Sequence, residues 1–172
     1  MACIKTRLDR VDIIARMFPR AGEFILLLAA LVPVAAIADD TAALPENYCS
    51  WEVVDYAIEK PLCGLSGDAQ RGKKIVSDSH QGNCLACHQL PIPGIEAYGS
   101  IGPSLHGIAS RFSEPQIRVR IVDTRNINPM SIMPGFYRDP RLINRPGKPY
   151  RGKTFLSAQQ VEDVIAYLVT LK

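Results

Sequence analysis

The 172-residue sequence has no block of like charge. Its 20 Lys and Arg residues against 17 Asp and Glu residues give a formal net charge of only +3. It also has no internal repeat, no low-complexity tract outside one apolar stretch, and no recognisable nucleophile or acid–base pair. These absences argue against a basic nucleic-acid-binding surface and a polybasic membrane anchor. They also give no indication that the chain is catalytic by itself.

Long hydrophobic runs are absent too. The longest, residues 24–38, has 15 residues, whereas about 20 are needed to span a bilayer. It follows basic residues and ends in the small-residue pattern Ala36-Ile37-Ala38, which predicts a cleaved export signal over residues 1–38. The alternative is an uncleaved amino-terminal anchor. A translation start at Met17 would give a signal of ordinary length, so both starts stay open.

Removal of residues 1–38 from the 172 leaves 134 residues, which is the size of one domain. We divide this mature chain into an N-terminal extension, residues 39–67, and a domain over residues 68–172. In the extension, apolar residues recur at helical spacing over residues 51–58. This spacing predicts two or three helical turns packed on the domain.

Helix start signals predict three helices in the domain. Asp68 is a suitable N-cap for the first helix, and Ser113 precedes a second. Ser157 with Gln160 has the spacing of a capping box at the start of the last. Because no strand pattern accompanies them, we expect an all-α domain.

Gly72 lies in the interior of the first predicted helix. A glycine there costs about 1 kcal/mol relative to alanine, which predicts a close crossing with another helix. The last helix is the expected partner, with Tyr167 over the bare backbone. Such a terminal helix pair resembles the closure of class I c-type cytochromes.

The segment Cys84-Leu85-Ala86-Cys87-His88 has the spacing of a covalent haem-attachment site. Each thiol adds across one vinyl group of the porphyrin, and His88 ligates the iron through an imidazole nitrogen. The alternatives are a thioredoxin-like dithiol, half of a zinc site and a structural disulfide. No βαβ pattern surrounds the motif, and no second Cys or His pair follows at short spacing. The sequence therefore predicts one covalently bound haem c.

Two of the five cysteines remain after this assignment. Cys3 is lost with the signal, and the haem takes the two cysteines of its motif, which leaves Cys49 and Cys63. An even remainder in an exported chain predicts a structural disulfide. In the entropic model, such a loop constrains the unfolded chain by about 3 kcal/mol. The alternative is two unrelated free thiols.

Met133, followed by Pro134, resembles the Met-Pro ligand loop of class I cytochromes c and is the predicted second iron ligand. Thioether sulfur favours ferrous iron, so a Met/His pair raises the reduction potential. The alternatives are Met130 as ligand and Met133 as ordinary core filling. We interpret His80 and His106 as surface or loop histidines.

Gly102-Pro103-Ser104-Leu105 resembles the Gly-Pro-x-Leu segment of the same fold. That resemblance implies that the carbonyl of Pro103 accepts the imidazole N–H of His88 and fixes its tautomer. It also implies that Leu105 packs on the haem face. The alternative is a plain tight turn.

Together these motifs resemble a narrower family: SoxX, the monohaem cytochrome subunits of SoxXA thiosulfate-oxidising complexes. The resemblance covers about residues 68–172. It is strongest around the haem motif, at Met133-Pro134-Gly135-Phe136-Tyr137 and in the last helix. Met130, a second sulfur near the ligand loop, is a departure from the pattern.

The resemblance implies a periplasmic electron carrier in an L-cysteine S-thiosulfotransferase complex. A SoxA-like cytochrome partner would hold the haem at which thiosulfate is joined to a cysteine of a sulfur-carrier protein. This chain would receive the electrons and pass them to an acceptor cytochrome, without catalysis of its own. The alternatives are a free-standing diffusible cytochrome c and a haem sensor.

Apolar residues flank the haem motif and its ligand loop, and they are predicted to contact the partner subunit. The set contains one polar residue, Gln89, and the apolar residues Leu85, Leu90, Pro91, Ile92, Pro93, Phe136 and Tyr137. The alternative has Leu90 and Ile92 turned inward to cap the haem pocket.

Overall fold

The computed structural model describes residues 47–172, which lie within one compact unit. The predicted export signal, residues 1–38, and the first part of the extension, residues 39–46, lie outside the described residues. Among residues 47–172, no helix is both long enough and apolar enough to cross a membrane.

Three α-helices form the regular structure: α1 over Ala69–Ser77, α2 over Glu114–Asp123 and α3 over Ala158–Leu168. Short 3-10 turns lie between and before them, at Leu62–Gly64, Cys84–Ala86, Ile108–Ser110, Thr124–Asn126, Pro140–Leu142 and Lys148–Tyr150. The described part of the chain has no β-strand, apart from one isolated bridge in the extension. The all-α prediction is confirmed.

The helices begin where their cap signals predict. The Asp68 carboxylate accepts the backbone N–H groups of the first turn of α1, and Ser113 precedes α2. At α3, the Gln160 N–H donates to Ser157 Oγ at 3.2 Å, and the Ser157 N–H donates to Gln160 Oε1 at 2.9 Å. These reciprocal bonds satisfy donors that a helix start otherwise leaves unpaired.

The core is formed by the facing sides of the three helices. Its fully buried aliphatic side chains include Val76 of α1, Ile117, Val119 and Val122 of α2, and Val161, Val164, Ile165 and Leu168 of α3. Burial of apolar surface at about 25 cal/mol per Å² is the main stabilising contribution here.

The predicted crossing of the first and last helices at a glycine is confirmed. A Cβ atom on Gly72 would lie 1.9 Å from the carbonyl oxygen of Asp163 and 2.9 Å from the Cβ of Tyr167. Any side chain at this position would separate α1 from α3. The helix-propensity cost of the glycine is therefore offset by close backbone packing.

Asp163 of α3 ties this crossing together, although only 2 % of its side chain is exposed. Its carboxylate accepts bonds from the Arg71 guanidinium at 2.7 Å, the Asp68 backbone N–H at 2.8 Å and the Gln159 amide at 2.9 Å. Burial alone would raise the pKa of Asp163, but these donors outweigh it and lower the pKa.

A buried ion pair joins α2, α3 and the extension. The Arg118 and Glu162 side chains are 1 % and 3 % exposed, and Arg118 Nε lies 3.0 Å from Glu162 Oε1. Arg118 also donates to the carbonyl of Ile58 at 3.0 Å, while Glu162 accepts the Leu62 N–H at 2.9 Å. Since both charges are paired and hydrogen-bonded, their burial is compensated.

The extension does not contain the predicted helical turns, so that prediction is wrong. Val54 and Ala57 exchange both backbone hydrogen bonds at 2.9 Å across a tight turn. The two central residues, Asp55 and Tyr56, have left-handed φ values of 48° and 61°. An eight-residue helix is marginal without tertiary support, and here long-range contacts decide the conformation. Of the apolar residues in this stretch, Ile58 is buried, whereas Val54 is 51 % exposed.

The predicted disulfide between Cys49 and Cys63 is confirmed, with a Cα–Cα distance of 5.4 Å. It links the two ends of the segment that contains the tight turn. Both ends also contact the domain: the Cys49 N–H donates to the Tyr137 hydroxyl at 2.8 Å, and the Leu62 N–H donates to Glu162. The extension is thus held on the domain at two places.

Candidate haem site

The Cys-x-x-Cys-His motif folds as a single tight turn. Asn83 enters it with a left-handed φ of 48°, and the 3-10 turn Cys84–Ala86 follows. The N–H groups of Cys87 and His88 both donate to the carbonyl of Cys84, at 3.1 and 2.9 Å. The turn therefore holds two thiols and one imidazole within five consecutive residues, and the two cysteines are not bonded to each other.

The orientation of His88 is set by the Gly102-Pro103 segment. His88 Nδ1 lies 2.7 Å from the Pro103 carbonyl oxygen. A carbonyl can only accept, so Nδ1 carries the hydrogen and the lone pair is on Nε2. This tautomer leaves Nε2 as the nitrogen that can ligate a metal.

Gly102 lies directly against the imidazole ring. A Cβ atom there would be 2.2 Å from Cε1 and 2.7 Å from Nε2 of His88. The glycine thus permits the close approach that brings the neighbouring proline carbonyl to His88. Sequence reasoning attributed the role of this segment to the proline carbonyl and missed the steric requirement at Gly102.

Residues 99–105 run alongside the haem motif and are joined to it by backbone hydrogen bonds. The bonds are Gly99 N–H to Leu85 O at 2.8 Å, Gly102 N–H to Cys87 O at 2.8 Å and Leu105 N–H to Gln89 O at 2.9 Å. The Arg111 guanidinium donates to the carbonyls of Ser104 and His106, at 2.8 and 3.2 Å. The Pro103 carbonyl is therefore held by bonds on both of its sides.

The two candidate methionines differ in environment. Met130 is 85 % exposed, whereas Met133 is partly buried and packs against the hydrophobic core. The chain after Met133 is fixed to α2, because the N–H groups of Phe136 and Tyr137 donate to the carbonyls of Ile121 and Val122, both at 3.1 Å. The histidines interpreted as surface residues, His80 and His106, are both exposed.

The alternative chemistries of the motif do not fit this environment. Burial raises the pKa of the Cys84 thiol to about 12, whereas a reactive dithiol needs a lowered pKa. Within residues 47–172, no three His, Cys, Asp or Glu side chains are grouped so that they could hold a metal ion. Two thiols beside an imidazole with a fixed tautomer fit covalent haem attachment with histidine ligation.

Comparison with known proteins agrees with this geometry. The family model for cytochrome c matches residues 69–172. The chain belongs to the cytochrome c family. It is 34 % identical over 110 residues to a cytochrome c-553-like protein from Synechocystis. The matched residues make up 64 % of this chain and 75 % of the relative.

A solved structure extends the comparison. This cytochrome matches a chain in the crystal structure of SoxXA from P. pantotrophus, with a TM-score of 0.64 and 37 % identity. The match covers 71 % of this chain and 94 % of that chain. The class I cytochrome c fold is therefore confirmed, and so is the resemblance to a SoxX-type cytochrome.

As a member of this family, the cytochrome carries covalently bound haem c and transfers electrons. The haem supplies the one-electron chemistry, and the protein binds it, orients it and tunes its electronic environment.

Four of the eight predicted partner-contact residues are buried, so the prediction is wrong for those four, whereas Pro91 and Pro93 are exposed and Leu85 and Gln89 are partly exposed. Leu90, Ile92, Phe136 and Tyr137 are between 2 % and 9 % exposed and belong to the core. The alternative, with Leu90 and Ile92 turned inward, is the observed one. Burial of these apolar side chains stabilises the folded domain, because it removes apolar surface from water.

Other apolar side chains, close in sequence to the residues of the site, are exposed. Ile101, directly before Gly102, is 68 % exposed, and Ile132, directly before Met133, is 82 % exposed. With Met130, they flank the loops that carry the predicted ligands. A contiguous patch of exposed apolar side chains is typical of a protein contact site, whereas single exposed apolar residues occur on any protein surface.

Proposed function

We propose that this chain is a periplasmic electron-transfer subunit of a SoxXA-like, thiosulfate-oxidising complex. The observation that carries the proposal is its 37 % identity and matching fold to a chain of SoxXA over 94 % of that chain. The Cys49–Cys63 disulfide supports an oxidising compartment. The predicted export signal is consistent with that location.

In the proposed site, Cys84 and Cys87 hold the haem covalently, and His88 ligates its iron through Nε2. The 2.7 Å contact between His88 Nδ1 and the Pro103 carbonyl supports this, because it fixes the required tautomer. Leu105 is partly buried beside the core and would pack on the haem face.

Met133 is the proposed second iron ligand. Its partial burial and its anchored loop support this choice over Met130, whose side chain is almost fully in solvent. A Met/His ligand pair raises the reduction potential and suits an electron acceptor.

Substitution of each methionine tests the ligand assignment. In the oxidised holoprotein, Met133→Ala should abolish the weak sulfur-to-iron charge-transfer band, because the sulfur is removed from the iron. Met130→Ala is the matched control and should leave the band in place. If the two variants behave in the opposite way, the ligand is Met130.

In the complex, the proposed partner is a SoxA-like cytochrome that joins thiosulfate to a cysteine of a sulfur-carrier protein. The electrons released pass to the haem of this chain and then to an acceptor cytochrome. The exposed side chains of Ile101, Met130 and Ile132, rather than the four buried residues, are proposed to contact the partner.

Co-purification of the tagged chain from its native host tests the partner. A SoxA-like cytochrome should be recovered with it, and Ile132→Glu should weaken that recovery without changing the haem spectrum. Leu142→Glu is a matched control, since Leu142 is 60 % exposed but lies in a different segment. Recovery of the chain alone would favour a diffusible cytochrome c, and binding of carbon monoxide to the reduced protein at neutral pH would favour a haem sensor.

A further inference from the structure

Tyr137 connects the extension to the loop that carries Met133. It lies four residues after Met133, its side chain is 2 % exposed, and its N–H donates to the Val122 carbonyl of α2 at 3.1 Å. Because Tyr137 is fixed in this way, it limits the conformations that the Met133 loop can adopt at its carboxyl-terminal end.

Three contacts to Tyr137 come from the extension. The Cys49 N–H donates to its hydroxyl at 2.8 Å, and the Trp51 indole N–H donates to its carbonyl oxygen at 3.2 Å. The Tyr48 ring stacks on the Tyr137 ring, with centroids 4.9 Å apart and planes 8° apart. Residues 48–51 therefore contact the side chain and the backbone of Tyr137 together.

The position of residues 48–51 is itself fixed from two directions. Cys49 is bonded to Cys63, and the neighbouring Leu62 donates its N–H to the buried carboxylate of Glu162 in α3. The segment thus cannot move away from Tyr137 unless the disulfide, the contacts in the Leu62 region, or both give way. Fixed contacts of this kind limit the conformations that a neighbouring loop can adopt.

The loop between Met133 and Tyr137 has little conformational freedom. A Cβ atom on Gly135 would lie 3.0 Å from the Asp123 carboxyl carbon, and the Phe136 N–H donates to the Ile121 carbonyl at 3.1 Å. On the other side of Met133, its own N–H donates to Ser131 Oγ at 3.3 Å. A shift of Tyr137 would therefore be transmitted to the sulfur of Met133.

We propose that the disulfide-linked segment 48–51 is a positioning element for the Met133 sulfur and acts through Tyr137. This inference rests on the proposed ligation of the haem iron by Met133. Residues around a ligand commonly affect its hold on a metal by about 10- to 100-fold. Loss of these contacts weakens the hold of Met133 on the iron and leaves His88 unaffected, because His88 is positioned by residues 99–105.

The experiment is a titration of the oxidised holoprotein with imidazole, which competes with Met133 for the iron. Trp51→Phe removes the indole N–H but keeps an aromatic ring, and Tyr137→Phe removes the acceptor of the Cys49 N–H. Each should raise the apparent affinity for imidazole by about tenfold, as expected for loss of a residue that supports a ligand. The Cys49→Ser, Cys63→Ser double variant should do the same.

Ile58→Val is the matched control. Ile58 is buried in the same extension, and its N–H donates to the Pro115 carbonyl, away from Tyr137. The variant should lower the melting temperature without changing imidazole affinity. A second measurement, the reduction potential, should fall in Trp51→Phe and stay constant in Ile58→Val, because only the first weakens sulfur ligation.

Unchanged imidazole affinity in both Trp51→Phe and Tyr137→Phe would overturn the inference, and so would an equal rise in Ile58→Val. Met133→Ala separates this failure from failure of the proposed function. If Met133 is not the ligand, Met133→Ala itself keeps the charge-transfer band and the imidazole affinity of the unmodified protein. If Met133→Ala loses the band while the extension variants behave as the unmodified protein, only the positioning role is wrong.

Discussion

The helical scaffold and the haem-site loops of this cytochrome are built by different means. The three helices are held by side chains: an aliphatic core, the Arg118–Glu162 pair and the Asp163 carboxylate. The loops over residues 83–105 are held largely by backbone hydrogen bonds and by one glycine against His88. Substitutions in the scaffold should therefore affect stability, and those in the loops should affect ligation.

The difference matters because a haem ligand must be positioned within a fraction of an ångström, whereas a helix pair tolerates small adjustments. Backbone bonds are insensitive to most side-chain changes, so the motif geometry is largely independent of the residues between the ligands. The Met133 loop combines features of both regions. Its backbone is hydrogen-bonded to α2, and it carries a proposed iron ligand.

The largest expected effect lies in the scaffold. Glu162→Ala leaves the buried Arg118 with Glu114 as its one remaining carboxylate partner, and it should lower the free energy of unfolding by about 3 kcal/mol. Glu114→Ala is the control, because that side chain is 53 % exposed and should cost less than about 1 kcal/mol. Denaturant unfolding measures both. Equal losses would mean that the buried pair has no special role.

Gly72→Ala should have the next largest effect. The new Cβ would overlap the Asp163 carbonyl, so α1 and α3 must separate, at a cost of about 2 kcal/mol. At the control position Gly147, the nearest atom to a new Cβ is 3.8 Å away, and Gly147→Ala should be close to neutral. A neutral Gly72→Ala in thermal unfolding would contradict the tight crossing.

Asp163→Asn tests the electrostatic part of the same crossing. The lowered pKa of Asp163 in the folded state means that its ionised form stabilises the fold at pH values above its unfolded pKa, near 4. We expect the variant to be less stable by about 1–2 kcal/mol at neutral pH, from weakened hydrogen bonds to a charged group. This difference should shrink as the pH falls through the folded pKa. A difference that does not change in unfolding experiments between pH 7 and pH 3 would assign the effect to packing.

Gly102→Ala should affect unfolding less than Gly72→Ala, because the atoms that its Cβ meets belong to the His88 ring, which can turn, and not to the backbone. The same turn would break the His88–Pro103 bond and change the haem spectrum. Unfolding and absorption measured on the same holoprotein samples separate the two effects. If stability falls as far as in Gly72→Ala, the loop is part of the scaffold.

The sequence allowed the scaffold to be predicted because its signals are local. Asp68, Ser113 and Ser157 mark helix starts through bonds to residues at most three positions away. Gly72 indicated the helix crossing, because a glycine inside a helix lowers helix stability and close packing against another helix can offset that loss. The haem motif is likewise contiguous, and the disulfide followed from counting cysteines.

The remaining features depend on contacts far apart in sequence. Nothing local to residues 51–58 shows that Ile58 must meet α2 or that the chain must turn at Asp55 and Tyr56. Burial of Phe136 and Tyr137 was missed for the same reason, since exposure is a property of the assembled domain. Tyr137 meets the extension 86 to 89 positions earlier in the chain, and no pattern within either segment signals that contact.

The pairing of α1 with α3 bears on the order of events in biogenesis. The two helices are neighbours in space but are separated by about 80 positions in the chain, and the Gly72 face of α1 has no surface to pack on until Asp163 and Tyr167 have been synthesised. A nascent chain that ends before α3 therefore lacks the contacts that close the domain. Cys84 and Cys87 emerge earlier, in a chain that cannot yet fold around them. The haem-attachment cysteines thus precede, in the order of synthesis, the helix whose packing closes the domain.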